Sequence, residues 1–154
     1  TRRSGGMHYT SIENIHKVID PLFLDDLKAE LADIKALKVE KTRNTKLEAF
    51  RKKLASLKFL DPACGSGNFL TETYLSLRRL ENEALMAATK GQMMLGGSGD
   101  WKPIAVSIGQ FYGIEINDFA VTVAKTALWI AESQMMHETE EIMQMSLEFL
   151  PLKS

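Results

Sequence analysis

The sequence predicts an α/β protein with a parallel sheet, preceded by a helical segment. Apolar residues recur at helical spacing through the first third of the chain. The period then breaks at two short apolar runs, each ending on a carboxylate. Each run is followed by a loop and a new helical stripe. Strand–loop–helix units in succession imply parallel pairing with right-handed crossovers. The expected division is a helical segment over 1–57 and the first half of an α/β domain over 58–154.

The opening run Gly5-Gly6-Met7-His8-Tyr9-Thr10-Ser11 reads as a loop feeding a helix. Thr10 or Ser11 can cap that helix, with Glu13 or Asn14 at capping distance. Ile12, Ile15, Ile19 and Leu22 form its stripe. Pro21 either kinks this helix or starts the next, whose stripe is Leu24, Leu27, Leu31 and Ile34. Val39 to Thr45 is charged and unpatterned and reads as a linker. A third helix carries Leu47, Phe50, Leu54 and Leu57 on one face, with Arg51, Lys52 and Lys53 on the other.

Lys58-Phe59-Leu60-Asp61 then reads as a short strand leading into Pro62-Ala63-Cys64-Gly65-Ser66-Gly67-Asn68. Leu70, Tyr74, Leu77 and Leu80 mark the helix that follows. Gly91, Gly96, Gly97 and Gly99 punctuate a loop between Lys90 and Pro103, with Met93 and Met94 packing loosely within it. Phe111 to Ile116 reads as a buried strand. Asn117 or Asp118 caps a helix whose apolar face holds Ala120, Val123, Ala127 and Ile130. The rest, to Leu147, is expected to form one more helix or an irregular connection.

Composition narrows the function classes. The 154 residues hold 19 Lys and Arg against 20 Asp and Glu, a net charge of −1. That balance argues against a complete nucleic-acid clamp within this chain. A lone cysteine, Cys64, cannot form an internal disulfide and favours a reducing, cytoplasmic setting. No apolar run is long enough to cross a bilayer, and no secretory leader pattern is present. Thr1 and the close at Leu150-Pro151-Leu152-Lys153-Ser154 read as cuts in a longer polypeptide.

In open parallel sheets, ligands bind beyond the carboxyl ends of the strands. Asp61 and Glu115 both sit at predicted strand ends. Gly65 and Gly67 let backbone approach a ligand closely, and the helix starting there aims free N–H groups at the same place. The Glu115 carboxylate suits both hydroxyls of a ribose, and Ile116 suits one face of an adenine. These parts fit a dinucleotide or S-adenosylmethionine. A dinucleotide site wants a third glycine, where this chain has Leu70, and an acid about 20 residues on. Here Glu115 lies 48 residues beyond Gly67, a gap the glycine-rich insertion can explain. The missing third glycine favours the methyl donor.

The run Phe59-Leu60-Asp61-Pro62-Ala63-Cys64-Gly65-Ser66-Gly67-Asn68-Phe69-Leu70 closely resembles motif I of DNA adenine-N6 methyltransferases. Tyr112-Gly113-Ile114-Glu115-Ile116 resembles their motif II. Gly6-Met7-His8-Tyr9-Thr10-Ser11, with Asn14-Ile15, is similar to motif X, which comes first in the gamma-type order. Gln110 to Glu115 and Ala127-Leu128-Trp129 look most like restriction-modification enzymes that fuse methylation and cleavage. The resemblance implies a Rossmann-like, class I S-adenosylmethionine-dependent methyltransferase fold, incomplete here. It implies that Asp61, Ala63, Cys64, Gly65 and Gly67 meet the methionine end of the cofactor, with backbone near Tyr9 and Thr10 closing over it. Glu115 would hold the ribose and Ile116 would flank the adenine.

The family's catalytic Asn-Pro-Pro-aromatic run, which receives a flipped adenine, does not occur in these 154 residues. No catalytic residue is therefore assigned, and the chain alone is expected to be inactive. Double-stranded DNA is the expected partner, through parts outside this chain, with a fused nuclease or target-recognition domain in the parent. A non-catalytic nucleotide-binding or regulatory domain is the alternative, and an NAD(P)-dependent oxidoreductase a third. No metal is expected, because His8, His16 and His137 share no helix face with one another and lie far from Cys64. Arg51-Lys52-Lys53 and Arg78-Arg79 read as solvated helix faces. Trp129 reads as core. The helix start beside Cys64 is expected to lower its pKa.

Overall fold

The computed structural model describes residues 10–88 and 103–148. The expectations for Tyr9, for His8 and for the glycine-rich loop with Met93 and Met94 lie outside the described residues. Five α-helices and two strands make up the described fold: α1 (Ile12–Ile19), α2 (Asp25–Lys35), α3 (Glu40–Ser56), β1 (Phe59–Asp61), α4 (Asn68–Ala88), β2 (Phe111–Gly113) and α5 (Asp118–Glu148). β1 and β2 pair in parallel, with Phe59 opposite Phe111, Leu60 opposite Tyr112 and Asp61 opposite Gly113. The protein is thus helix-rich around a small parallel sheet.

Ser11 is the cap of α1, its hydroxyl accepting the Asn14 N–H at 3.2 Å. Pro21 neither breaks nor restarts the helix. It sits at the head of a π-helical turn, Asp20–Leu24, that runs on into α2. The turn rotates the stripe, so Ile15, Ile19 and Leu24 are buried while Ile12 and Leu22 are exposed. The helical spacing of Leu27, Leu31 and Ile34 holds. The expected linker is corrected: helix α3 begins at Glu40, and Arg43 caps the preceding loop by donating from Nη1 to the Leu37 carbonyl at 2.9 Å.

α4 is the central post. Leu70, Tyr74, Leu77 and Leu80 are buried as their spacing predicts, and α1, α2, α3 and α5 all pack against it. Phe59 and Phe111 stack with centroids 5.2 Å apart, and Tyr74 meets Phe111 edge-on at 5.7 Å.

Two arginines overturn the solvated-face reading. Arg51 is 1% exposed and Arg78 is 0% exposed. Arg51 donates from Nη1 to Glu48 Oε2 at 2.7 Å, and Arg78 Nη1 to Glu81 Oε1 at 2.6 Å. Arg78 Nη2 also reaches Thr139 Oγ1 at 2.7 Å and the Met135 carbonyl at 3.2 Å, tying α4 to α5. Glu81 in turn accepts the N–H groups of Ala105 and Val106 at 2.7 and 3.2 Å, fixing the approach to β2. Burial pushes the Glu81 carboxyl above its ordinary pKa, opposed by those N–H groups and the two arginines. Charges at these positions persist inside because each meets a partner there.

α5 is one continuous helix to Glu148, where a break was expected. Its buried line runs through Ala120, Ala124, Ala131 and Met135, leaving Ile130 and Trp129 exposed. The expected stripe and the core placement of Trp129 are corrected accordingly. Asn117 caps this helix, Oδ1 accepting the Ala120 N–H at 3.1 Å.

Candidate functional site

The site begins where β1 ends. Asp61 turns its carboxylate onto its own loop, Oδ1 accepting the Ala63 N–H at 3.0 Å, the local bond an aspartate before proline is suited to make. The Asp61 carbonyl accepts the Ile114 N–H at 3.0 Å, and the Ile114 carbonyl accepts the Cys64 N–H at 3.1 Å. The parallel pairing therefore continues past both strands, carrying the glycine loop alongside the second carboxylate.

Gly65 donates its N–H to Glu115 Oε1 at 3.0 Å, and Asn117 donates its N–H to Oε2 at 2.9 Å. Each oxygen of Glu115 spends one lone pair on the main chain and keeps one for a ligand. Gly65 has φ of +53° and Gly67 of +82°, a conformation that suits glycine. A Cβ on Gly65 would meet nothing within 4 Å among the described residues, so none of them fills the space over it. A Cβ on Gly67 would lie 2.7 Å from Ala124 Cβ, so α5 rests directly on the loop.

Asp61, Ala63, Cys64, Gly65, Gly67 and Glu115 are thus brought into one connected assembly. Ile116 follows Glu115 and is almost fully exposed. Thr10, half-buried ahead of α1, shares no hydrogen bond with this assembly among the described residues. The expectation for Cys64 is corrected: burial, with the negative charges of Asp61 and Glu115, raises its pKa. The thiol stays protonated and packs over Gly113.

Sequence reasoning assigned no role to Gly113 or Ala124. A Cβ on Gly113 would lie 2.7 Å from Cys64 Sγ and 3.0 Å from Leu70 Cδ1, so this glycine sets how closely the loop sits on β2. The missing signal for Gly113 was its register opposite Asp61. At the first turn of α4, Asn68 Nδ2 and Thr71 Oγ1 are buried without a hydrogen-bond partner among the described residues. No group of three or more His, Cys, Asp or Glu that could hold a metal occurs among the described residues. No helix there is long and apolar enough to cross a membrane.

A parallel strand–loop–helix pair, its glycine turn bonded to an acid just past the second strand, sits beyond the carboxyl ends of both strands. Comparison with known proteins identifies the family. Residues 37–154 match the family model described as MmeI, DNA-methyltransferase domain. DNA methyltransferase A of Bacillus subtilis (strain 168) is 50% identical over 133 residues, covering 86% of this chain and 14% of that protein. A putative type II restriction enzyme and methyltransferase of Methanocaldococcus jannaschii is 29% identical over 85 residues, 55% of this chain and 7% of that protein. The solved structure of the type IIL restriction-modification enzyme MmeI in complex with DNA aligns with a TM-score of 0.73 and 41% identity, covering 96% of this chain and 19% of that one. This chain belongs to the MmeI DNA-methyltransferase domain family. It spans less than a fifth of the length of these relatives.

Proposed function

We propose that the chain forms the S-adenosylmethionine-binding portion of a site-specific DNA adenine-N6 methyltransferase of a restriction-modification system, with a Rossmann-like cofactor fold. The observation that carries the reading is the 3.0 Å bond from the Gly65 N–H to Glu115 Oε1, which puts the glycine loop and the acid just past β2 at one place.

The residues present fit the cofactor. The space over Gly65 accommodates its methionine end beside Asp61, Ala63, Cys64 and Gly67. The remaining lone pairs of Glu115 can accept both ribose hydroxyls, and Ile116 offers an apolar surface to the adenine. Asp61 and Glu115 place negative charge where a sulfonium would lie. The unpartnered Asn68 Nδ2 and Thr71 Oγ1 supply donors at the start of α4. Tyr9 and Thr10 complete this assignment as backbone cover. When bound, the cofactor supplies an electrophilic methyl group. The chain's own contribution is to hold and orient it, while the groups that receive a flipped adenine lie outside these 154 residues.

Calorimetry on the full-length gene product with S-adenosylmethionine, S-adenosylhomocysteine and NAD tests the reading. Binding of both sulfur ligands, lost in Glu115→Ala, is expected, with N6-methyladenine as the product on duplex DNA. Binding of NAD and neither sulfur ligand overturns it.

A further inference from the structure

Charge is unevenly spread over this chain. Between Lys35 and Lys58 stand nine Lys and Arg against two acids, Glu40 and Glu48, in a protein of net charge −1. The two arginines of that stretch are taken up internally, Arg51 by Glu48 and Arg43 by the Leu37 carbonyl. Two of the lysines are paired: Lys35 lies 3.5 Å from Glu83, and Lys53 2.7 Å from Glu30. Lys38, Lys41, Lys46, Lys52 and Lys58 are exposed, with no carboxylate within 4.0 Å among the described residues.

A solvated helix face usually interleaves acids with its lysines, as Glu13 does for Lys17 on α1 at 3.9 Å. On α3 the acid between Lys41 and Lys52, Glu48, gives its carboxylate to the buried Arg51 at 2.7 Å instead. One turn from Lys41 stand Asn44 and Thr45, with Lys38 in the bend just ahead of the helix, and one turn from Lys52 stand Glu48, already bonded to Arg51, and Ser56. Eleven residues separate Lys41 from Lys52, close to three whole turns, so both lie on one side of the helix about 16 Å apart. Lysines left without ion pairs among the described residues, along a segment this rich in cations, are the footprint left by a polyanion.

We propose that the outward face of α3, with Lys41 and Lys52, together with Lys38 just ahead of it, grips the phosphate backbone of duplex DNA without reading its sequence. This rests on the reading of the chain as part of a DNA-modifying enzyme. The near-neutral total charge is then the sum of a basic DNA-facing side and an acidic α5, which carries Glu132, Glu138, Glu140 and Glu141.

The test is anisotropy of a labelled duplex titrated with the full-length gene product across a range of salt. A triple variant, Lys38→Gln with Lys41→Gln and Lys52→Gln, is compared with a charge-matched one, Lys17→Gln with Lys28→Gln and Lys125→Gln. The first is expected to bind about tenfold more weakly at ~0.1 M salt, with the log–log salt slope shallower by about 2 to 3, on any sequence. The second is expected to track wild type. Protection of the Lys41 and Lys52 amines from acylation by bound DNA gives a readout on the unaltered protein. Equal losses in both variants, or wild-type slopes in both, overturn the surface alone. Tighter binding of duplex RNA than of DNA does the same. No binding of DNA by wild type overturns the surface and the DNA-modifying reading together.

Discussion

The two faces of the β1–β2 pair could hardly differ more. On one, Phe59 and Phe111 stack and Tyr74 of α4 closes over them. On the other, Leu60 is 62% exposed and Tyr112 is 49% exposed, with Ile114 beside them. Alternation along a strand puts neighbouring side chains on opposite faces, so both faces are apolar although only one is covered among the described residues. Parallel sheets are ordinarily covered on both. The sequence reading of β2 as buried throughout holds for Phe111 and fails for Tyr112, Gly113 and Ile114 for this reason. The covered side carries the chain's stability, and the glycine loop is held at its rim.

Three substitutions sharpen that contrast. Glu81→Ala removes the carboxylate shared by Arg78, Arg51, Ala105 and Val106, stranding buried donors. A loss of about 3–5 kcal/mol is expected in urea denaturation. A loss below ~1 kcal/mol would mean the buried network does not hold the covered side together. Gly113→Ala drives a methyl toward Cys64 Sγ, 2.7 Å away. It should cost about 1–3 kcal/mol, the usual range for overpacking. Displacement of the loop should also weaken S-adenosylhomocysteine binding more than it lowers the melting temperature. Leu60→Thr, on the bare face, should shift stability by no more than ~0.5 kcal/mol in this chain. A drop of several times that would show Leu60 to be covered after all.

How much of this was legible in the sequence depended on range. The glycine loop, Asp61 at the end of β1, the stripe Leu24, Leu27, Leu31 and Ile34, and the α4 stripe are local patterns that were read correctly, while the second strand stops at Gly113, two residues short of Glu115. Arg51 and Arg78 were misread because burial of a charge is decided by a partner across the core. Glu48 and Glu81 stand three residues from their arginines, a visible spacing, but the same spacing also suits an exposed pair. The linker reading of Val39–Thr45 failed because α3's first turn faces solvent, where no apolar period can show. Trp129 and Ile130 were misplaced by one step in the α5 stripe, which the line Ala120, Ala124, Ala131, Met135 sets instead. At the site, the sequence led to the glycines and Glu115 lying near one another, though not to the direct bond between Gly65 and Glu115. The packing of Cys64 on Gly113 was not anticipated, since it arises from strand register.

His16 illustrates a different kind of closure. Its two ring nitrogens lie 2.7 Å from Asp20 Oδ1 and 2.7 Å from Glu72 Oε2, and those two carboxylates raise its pKa. A neutral imidazole has only one N–H to give, so both bonds together call for the imidazolium. Asp20 belongs to the π-helical turn and Glu72 to the second turn of α4, a few residues past the glycine loop. The N-terminal helix is therefore latched to the base of that loop by a proton. Both bonds are held below the ordinary imidazole pKa, and one of them is given up as alkalinity climbs through the raised one, making the grip of α1 a property of the solvent as well as of the chain.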